Sequence, residues 1–333
     1  MTRDADLRRR IEEGQGEFLL FALTPPRRTT SVERAQEIAD ATLRRLASLD
    51  LDGLVLYDIT DESDRNADER PFPFLPTMDP ADYLHRHLDQ WTKPVVVYRS
   101  VGKYDESELR SWLEGQDPDR SLSVFVGASS REQVTTTSLT RAQEIRADTR
   151  PDLLLGGVAI PERHVRSGQE HLRMLAKQDA GCSFFVTQVV YDVNAAKDLV
   201  SDYHYECVDR GIAPAPIVFT FSVCGSMKTL EFLRWLGVDV PRWMQNDLRH
   251  AADTLDASFE QALAMARELV GYCRRLGMPF GLNVESVSIR RAEIEASVNL
   301  AARLRQELDG RVHQHLGPSV EGDRAIGLDL SDA

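Results

Sequence analysis

Apolar and polar positions along this chain switch repeatedly between two periods, and the switching predicts an architecture. Short runs dense in β-branched and aromatic residues fall at 17–24, 54–59, 94–100, 122–128, 153–160, 183–191, 217–223 and 280–287. Between them, at 31–49, 79–91, 106–113, 139–147, 164–178, 194–210, 227–236 and 258–276, apolar residues recur three and four apart. The short runs read as strands and the longer ones as amphipathic helices. Many strand runs are apolar on both parities, as strands covered on two faces must be. Eight such pairs in succession predict an α/β fold, a single (β/α)8 TIM barrel, rather than an open sheet.

A further helix at 289–308 follows the last strand. Residues 1–15 read as an N-terminal helical extension, 16–310 as the barrel and 311–333 as a polar tail. Two insertions interrupt the alternation. Residues 61–77 end in Pro71-Phe72-Pro73-Phe74-Leu75-Pro76, which cannot form regular helix. This loop is expected either as a pocket wall or as a surface loop packing its two Phe on a helix. Residues 237–255, with Trp243 and Met244, predict a short extra helix over the same face.

Composition narrows the function. Among 333 residues, 42% are hydrophobic and 28% charged, so a core of ample size can form. A formal charge of −13 disfavours nucleic acid and anionic membrane as partners, because both would repel the chain. A small-molecule substrate fits better, and a homo-oligomer is left open. With neither a membrane-spanning run nor a secretory apolar segment, a cytoplasmic protein is expected. The four Cys are widely spaced with no Cys-x-x-Cys pair, and three of them, in apolar or amphipathic runs, read as buried thiols. The eight His show no His-x-His or His-Glu-x-x-His pattern, so no catalytic metal is expected.

Barrel enzymes carry their reactive groups at the C-terminal ends of strands. The polar residues expected there include Asp58, Arg99, Ser129, His164, Gln188, Asn283 and Glu285. Carboxylates and amides together suit a heterocycle with an amide-and-amine edge, such as a pterin. Glu285 shares parity with Gly281 and Asn283, which points it into the barrel. Desolvation there would raise its pKa, making it a general acid or a pterin anchor. The competing reading is a structural carboxylate paired with Arg99 or another cation. Asp58 carries the same two readings, catalytic or structural. Gln188 interrupts an apolar strand and needs a hydrogen-bond partner in the protein or in a ligand. His164 either opens the fifth helix or takes a direct part. Ser129 begins a hydroxyl-rich stretch that reads as a phosphate-binding turn or as a solvated loop. Gly127 permits close backbone approach, yet no Gly-x-Gly-x-x-Gly fingerprint accompanies it.

Several stretches resemble the methylenetetrahydrofolate reductase family. Lys177-Gln178-Asp179-Ala180-Gly181, Phe185-Val186-Thr187-Gln188 and Tyr191-Asp192-Val193 together look like its sixth-strand signature. Thr24-Pro25-Pro26-Arg27, Pro161-Glu162-Arg163-His164, Val240-Pro241-Arg242-Trp243-Met244 and Arg291-Ala292-Glu293 follow the family's order. The resemblance implies a TIM barrel that reduces 5,10-methylenetetrahydrofolate to 5-methyltetrahydrofolate, with FAD and NADH or NADPH as cofactors. It implies that Gln188 and Tyr191 bind folate, with Met227 standing where the family has a stacking Phe. On the cofactor side it implies Gly127 and His164, to which strand-end position adds Arg99 and Ser129. The family's proton-donating Glu of the first strand is replaced by Ala22, and its Asp after the fourth strand by Ala128. Glu285 or Asp58 would then supply the acid. Flavin-free folate-dependent one-carbon transfer and a non-catalytic folate-binding relative are the alternatives.

Overall fold

A computed structural model describes residues 6–61, 68–127 and 135–310. Ser129 and residues 311–333 lie outside them. Eight parallel strands close into a barrel in chain order. They are β1 (Phe18–Leu23), β2 (Gly53–Leu56), β3 (Val95–Ser100), β4 (Ser121–Val126), β5 (Leu155–Ala159), β6 (Cys182–Val189), β7 (Ile217–Ser222) and β8 (Phe280–Glu285). The expected (β/α)8 barrel with a C-terminal helix is therefore the observed fold. No helix among the described residues is long and apolar enough to cross a membrane.

Strand alternation sorts the core into two compartments. Outward residues such as Leu19, Phe21, Leu54, Leu56, Phe185, Phe219 and Leu282 join the helices in an outer layer. Inward residues, including Phe18, Leu20, Ala22, Val55, Val96, Leu122, Val124, Phe184 and Val186, fill the barrel. The largest of these need small neighbours. A Cβ at Gly281 would overlap the Phe18 ring, and one at Gly156 would overlap the Phe184 ring. Glycine at those two positions is thus a packing requirement.

The N-terminal end of the barrel is plugged. Helix α1 (Leu7–Glu12) buries Leu7 and Ile11 among the inward side chains. Asp52 ties the plug to the wall: it accepts from the Leu19 N–H at 2.7 Å, from Arg10 at 3.0 Å and from Arg305 at 2.5 Å. Arg305 belongs to the last helix, α12 (Arg291–Leu308). One carboxylate therefore joins α1 and α12 to β1.

The remaining helices are α2 (Val32–Leu46), α3 (Pro80–His87), α4 (Glu106–Glu114), α5 (Leu139–Thr149), α6 (Pro161–Ser167), α7 (Glu170–Asp179), α8 (Val193–Arg210), α9 (Met227–Trp235), α10 (Arg242–His250) and α11 (Thr254–Leu276). Local signals start several of them. Ser31 caps α2, Asp79 caps α3 ahead of its Pro80, and Asp105 and Glu108 form a reciprocal capping box on α4. Helix α10 is the extra helix expected within 237–255.

Two elements differ from expectation. The fifth helix, expected as one segment, is two, because Gly168 adopts a left-handed conformation at φ +63° and ends α6. Strand β2 ends at Leu56, so Tyr57 and Asp58 extend beyond its ladder. Residues 62–67 of the 61–77 insertion lie outside the described residues, and its described part packs on a helix: Phe72 meets Phe232 edge-on at 5.4 Å. Arg70 lies over Phe74, Phe232 and Trp235 at 5.4, 5.3 and 5.0 Å.

Gly281→Ala should lower stability by about 1–3 kcal/mol, the usual cost of overpacking. Urea unfolding should show a lower midpoint at an unchanged slope; an unchanged midpoint would mean that Phe18 can move aside freely.

Candidate functional site at the barrel mouth

At the C-terminal end the inward side chains turn from apolar to polar. Asn283 and Glu285 follow Gly281 on the inner face of β8, as their parity predicts. Tyr57 follows Val55 from β2 and donates its hydroxyl to Glu285 at 2.5 Å. The Asn283 amide donates to the Tyr57 hydroxyl at 3.1 Å and to Thr220 at 3.3 Å. Tyr98 meets Tyr57 edge-on, with ring centroids 4.8 Å apart. The Asn283 carbonyl oxygen is buried and has no hydrogen-bond partner among the described residues.

Burial governs the electrostatics of this cluster. Desolvation pushes the Glu285 carboxyl up to about 7, and the hydrogen bond from Tyr57 offsets only part of that. Burial, reinforced by the adjacent carboxylate, holds the Tyr57 phenol well above its ordinary range. Tyr57 thus remains a neutral donor, while Glu285 is poised to gain or lose a proton near neutrality.

Register shows what Glu285 stands beside. Strands β1 and β8 pair Leu20 with Asn283 and Phe21 with Val284. The next step places Ala22 next to Glu285.

Gln188 lies near the end of β6, where the register with β7 shifts between Val186 and Val189, and its amide donates to the Leu236 carbonyl at 3.0 Å. The partner it requires is the residue that caps α9. Beyond Leu236 a cleft of about 550 Å³ opens, lined by Glu162, Trp235, Gly237 and Asp239 among others. Burial raises the Glu162 carboxyl above its ordinary range. One of its oxygens accepts weakly from the Asp239 N–H, and the other has no partner among the described residues. A second cleft, of about 360 Å³, lies between the start of α8, α10 and α11, with Trp243 at its edge.

The other candidates lie off this interior. Asp58 pairs with Lys103 at 2.5 Å and accepts from the Ser100 N–H and Tyr104 hydroxyl at 2.8 and 3.0 Å. Its opposite parity to Tyr57 makes it an anchor for the end of β3. Arg99 pairs with Asp79, not with Glu285, and lies over the rings of Tyr104 and Trp112. Tyr191 is buried in the outer layer, with its hydroxyl toward the Ser222 carbonyl at 3.3 Å. Met227 opens α9 and packs against the same layer. Gly127 backs onto Leu139 of α5. His164 faces α8, hydrogen-bonded to Asp202.

Of the residues expected on the cofactor side, Arg99 pairs with Asp79, Gly127 packs on α5, His164 meets Asp202 of α8, and Ser129 lies outside the described residues. Sequence reading passed over Tyr57, Tyr98 and Thr220. Tyr57 could have been found by its shared parity with Val55, which puts it, rather than Asp58, in the mouth.

Fold and site together define a (β/α)8 barrel with a carboxyl, phenol and amide cluster at its mouth. A sequence model described as methylenetetrahydrofolate reductase matches residues 131–280. An uncharacterized protein from Clostridium thermocellum that binds two copies of 5-methyl-5,6,7,8-tetrahydrofolic acid is 41% identical. It superposes with a TM-score of 0.80, over 90% of this chain and 99% of that one. This chain belongs to the methylenetetrahydrofolate reductase family. A GH113 β-1,4-mannanase, 12% identical with a TM-score of 0.50 over 88% of this chain and 99% of its own, shares the fold alone. No curated protein matches this chain in sequence.

The raised carboxyl has a consequence for stability. With a native pKa about 7 against an ordinary 4.5, Glu285 binds more protons folded than unfolded between those values. Its contribution to stability is therefore complete below the lower value and is lost as pH rises through the upper one. Glu285→Gln should flatten this decline and leave the variant more stable than the parent at alkaline pH. Thermal melts across that window test it; parallel pH profiles for the two proteins would count against a buried, protonatable Glu285.

Proposed function

We propose that this chain binds a reduced folate at the barrel mouth and acts on its one-carbon group, with Glu285 as the proton donor. The observation that carries the proposal is the Tyr57–Glu285 hydrogen bond beside Ala22, in a site where the carboxyl titrates near neutrality. Asn283 and Gln188 offer amides to the pterin's amide-and-amine edge. The Clostridium thermocellum relative's binding of 5-methyl-5,6,7,8-tetrahydrofolic acid supports the same ligand class.

Protonated Glu285 places an acid against the folate nitrogen that carries the one-carbon unit. Proton transfer to that nitrogen weakens its bond to carbon and prepares the carbon for attack. Tyr57 holds the carboxyl in one orientation and stabilises the carboxylate left after transfer. Asn283 in turn orients Tyr57. Attack by a nucleophile would complete a flavin-free one-carbon transfer, and hydride from a nicotinamide would complete a reduction to 5-methyltetrahydrofolate. Membership of the family favours reduction.

Calorimetric titration with 5-methyltetrahydrofolate should show saturable binding to the parent protein. Gln188→Leu should weaken it about tenfold or more, since a ligand polar group is left unpaired. Glu285→Gln should keep binding within a few-fold but lose about 10²–10⁴ in turnover. Absence of folate binding by the parent would overturn the proposal. Oxidation of NADH or NADPH on addition of 5,10-methylenetetrahydrofolate, with no flavin present, would select reduction over transfer.

A further inference from the structure

Outside the barrel mouth, three metal-ligating side chains from three helices converge. His164 of α6, His171 of α7 and Asp202 of α8 each offer a ligand atom, all within 4.8 Å of one another. The two imidazole rings lie edge to face with centroids 5.3 Å apart. His164 Nε2 and the Asp202 carboxylate are 3.1 Å apart. His164 is 5% exposed. Its Nδ1, and that of His171, are buried with no hydrogen-bond partner among the described residues.

This convergence depends on the helix break at Gly168. On one unbroken helix, residues seven apart are separated by about 10 Å along the axis, too far to share an ion. The left-handed turn at Gly168 ends α6 and restarts the chain as α7, which brings the two rings together. Helix α8 then supplies Asp202, and with it Glu206 one turn further on, itself paired with Arg210 at 2.9 Å.

We propose that His164, His171 and Asp202 form a divalent transition-metal site that clamps α6, α7 and α8 together. Two imidazoles and a carboxylate suit a borderline ion such as Zn²⁺, whose bonds to nitrogen and oxygen are about 2.0–2.2 Å. Ligand atoms around such an ion stand about 3–3.5 Å apart in a tetrahedral site, which the His164 to Asp202 separation already meets. A fourth position remains for water or Glu206. Hard ions such as Mg²⁺, which demand oxygen ligands, are excluded by the same donor set.

The full chain, stripped of metal with a chelator, tests this by equilibrium dialysis against Zn²⁺ and by thermal melts with Zn²⁺ or Mg²⁺. One equivalent of Zn²⁺ should bind and raise the melting temperature with concentration, while Mg²⁺ leaves it unchanged. His171→Ala and Asp202→Ala replace side chains that are not deeply buried. They should keep the metal-free fold by circular dichroism and weaken Zn²⁺ binding about 100-fold. No uptake by the parent protein, or wild-type affinity in both variants, would overturn the site.

Discussion

Closing eight parallel strands on themselves is the constraint on which the rest of this molecule depends. Once closed, the barrel has one small interior, and alternation decides which residues enter it. Near the N-terminal end those residues are Phe18, Leu20, Val55, Phe184 and Val186, completed by Leu7 and Ile11 of the plug. At the other end the same inward rows deliver Tyr57, Thr220, Asn283 and Glu285 to one another. The packed floor is what makes the polar cluster desolvated, and desolvation is what moves Glu285 toward neutrality.

Charges are partitioned by the same rule. Outward-facing Asp58 and Arg99 find Lys103 and Asp79 and fasten loops and helices around the rim. Inward-facing Glu285 meets no cation among the described residues and accepts instead from a phenol. Desolvation then raises the Glu285 carboxyl to about 7, with the Tyr57 hydrogen bond offsetting only part of the rise. The distinction between Asp58 and Glu285 is one of face, not of residue type.

Ala22 and Glu285 are neighbours across the β1–β8 seam, so side chains rooted on either strand reach the same part of the mouth. Gly168 acts differently: a single left-handed residue divides a helix and turns two histidines, distant along a helix, into neighbours.

Much of this was legible in the chain itself. Strand and helix periods depend only on local side-chain spacing, so the barrel, the extra helix near Trp243 and the inward parity of Asn283 and Glu285 could all be read from residue order. The motifs around Gln188 and His164 likewise pointed to the family. What residue order could not contain was distance between elements. The Tyr57–Glu285 bond spans 228 positions, the Arg99–Asp79 pair follows from where β3 meets the loop before α3, and the His164, His171 and Asp202 cluster needs three helices. Those partners were decided by tertiary structure, because hydrogen bonds and ion pairs act over a few ångströms of space and take no account of separation along the chain.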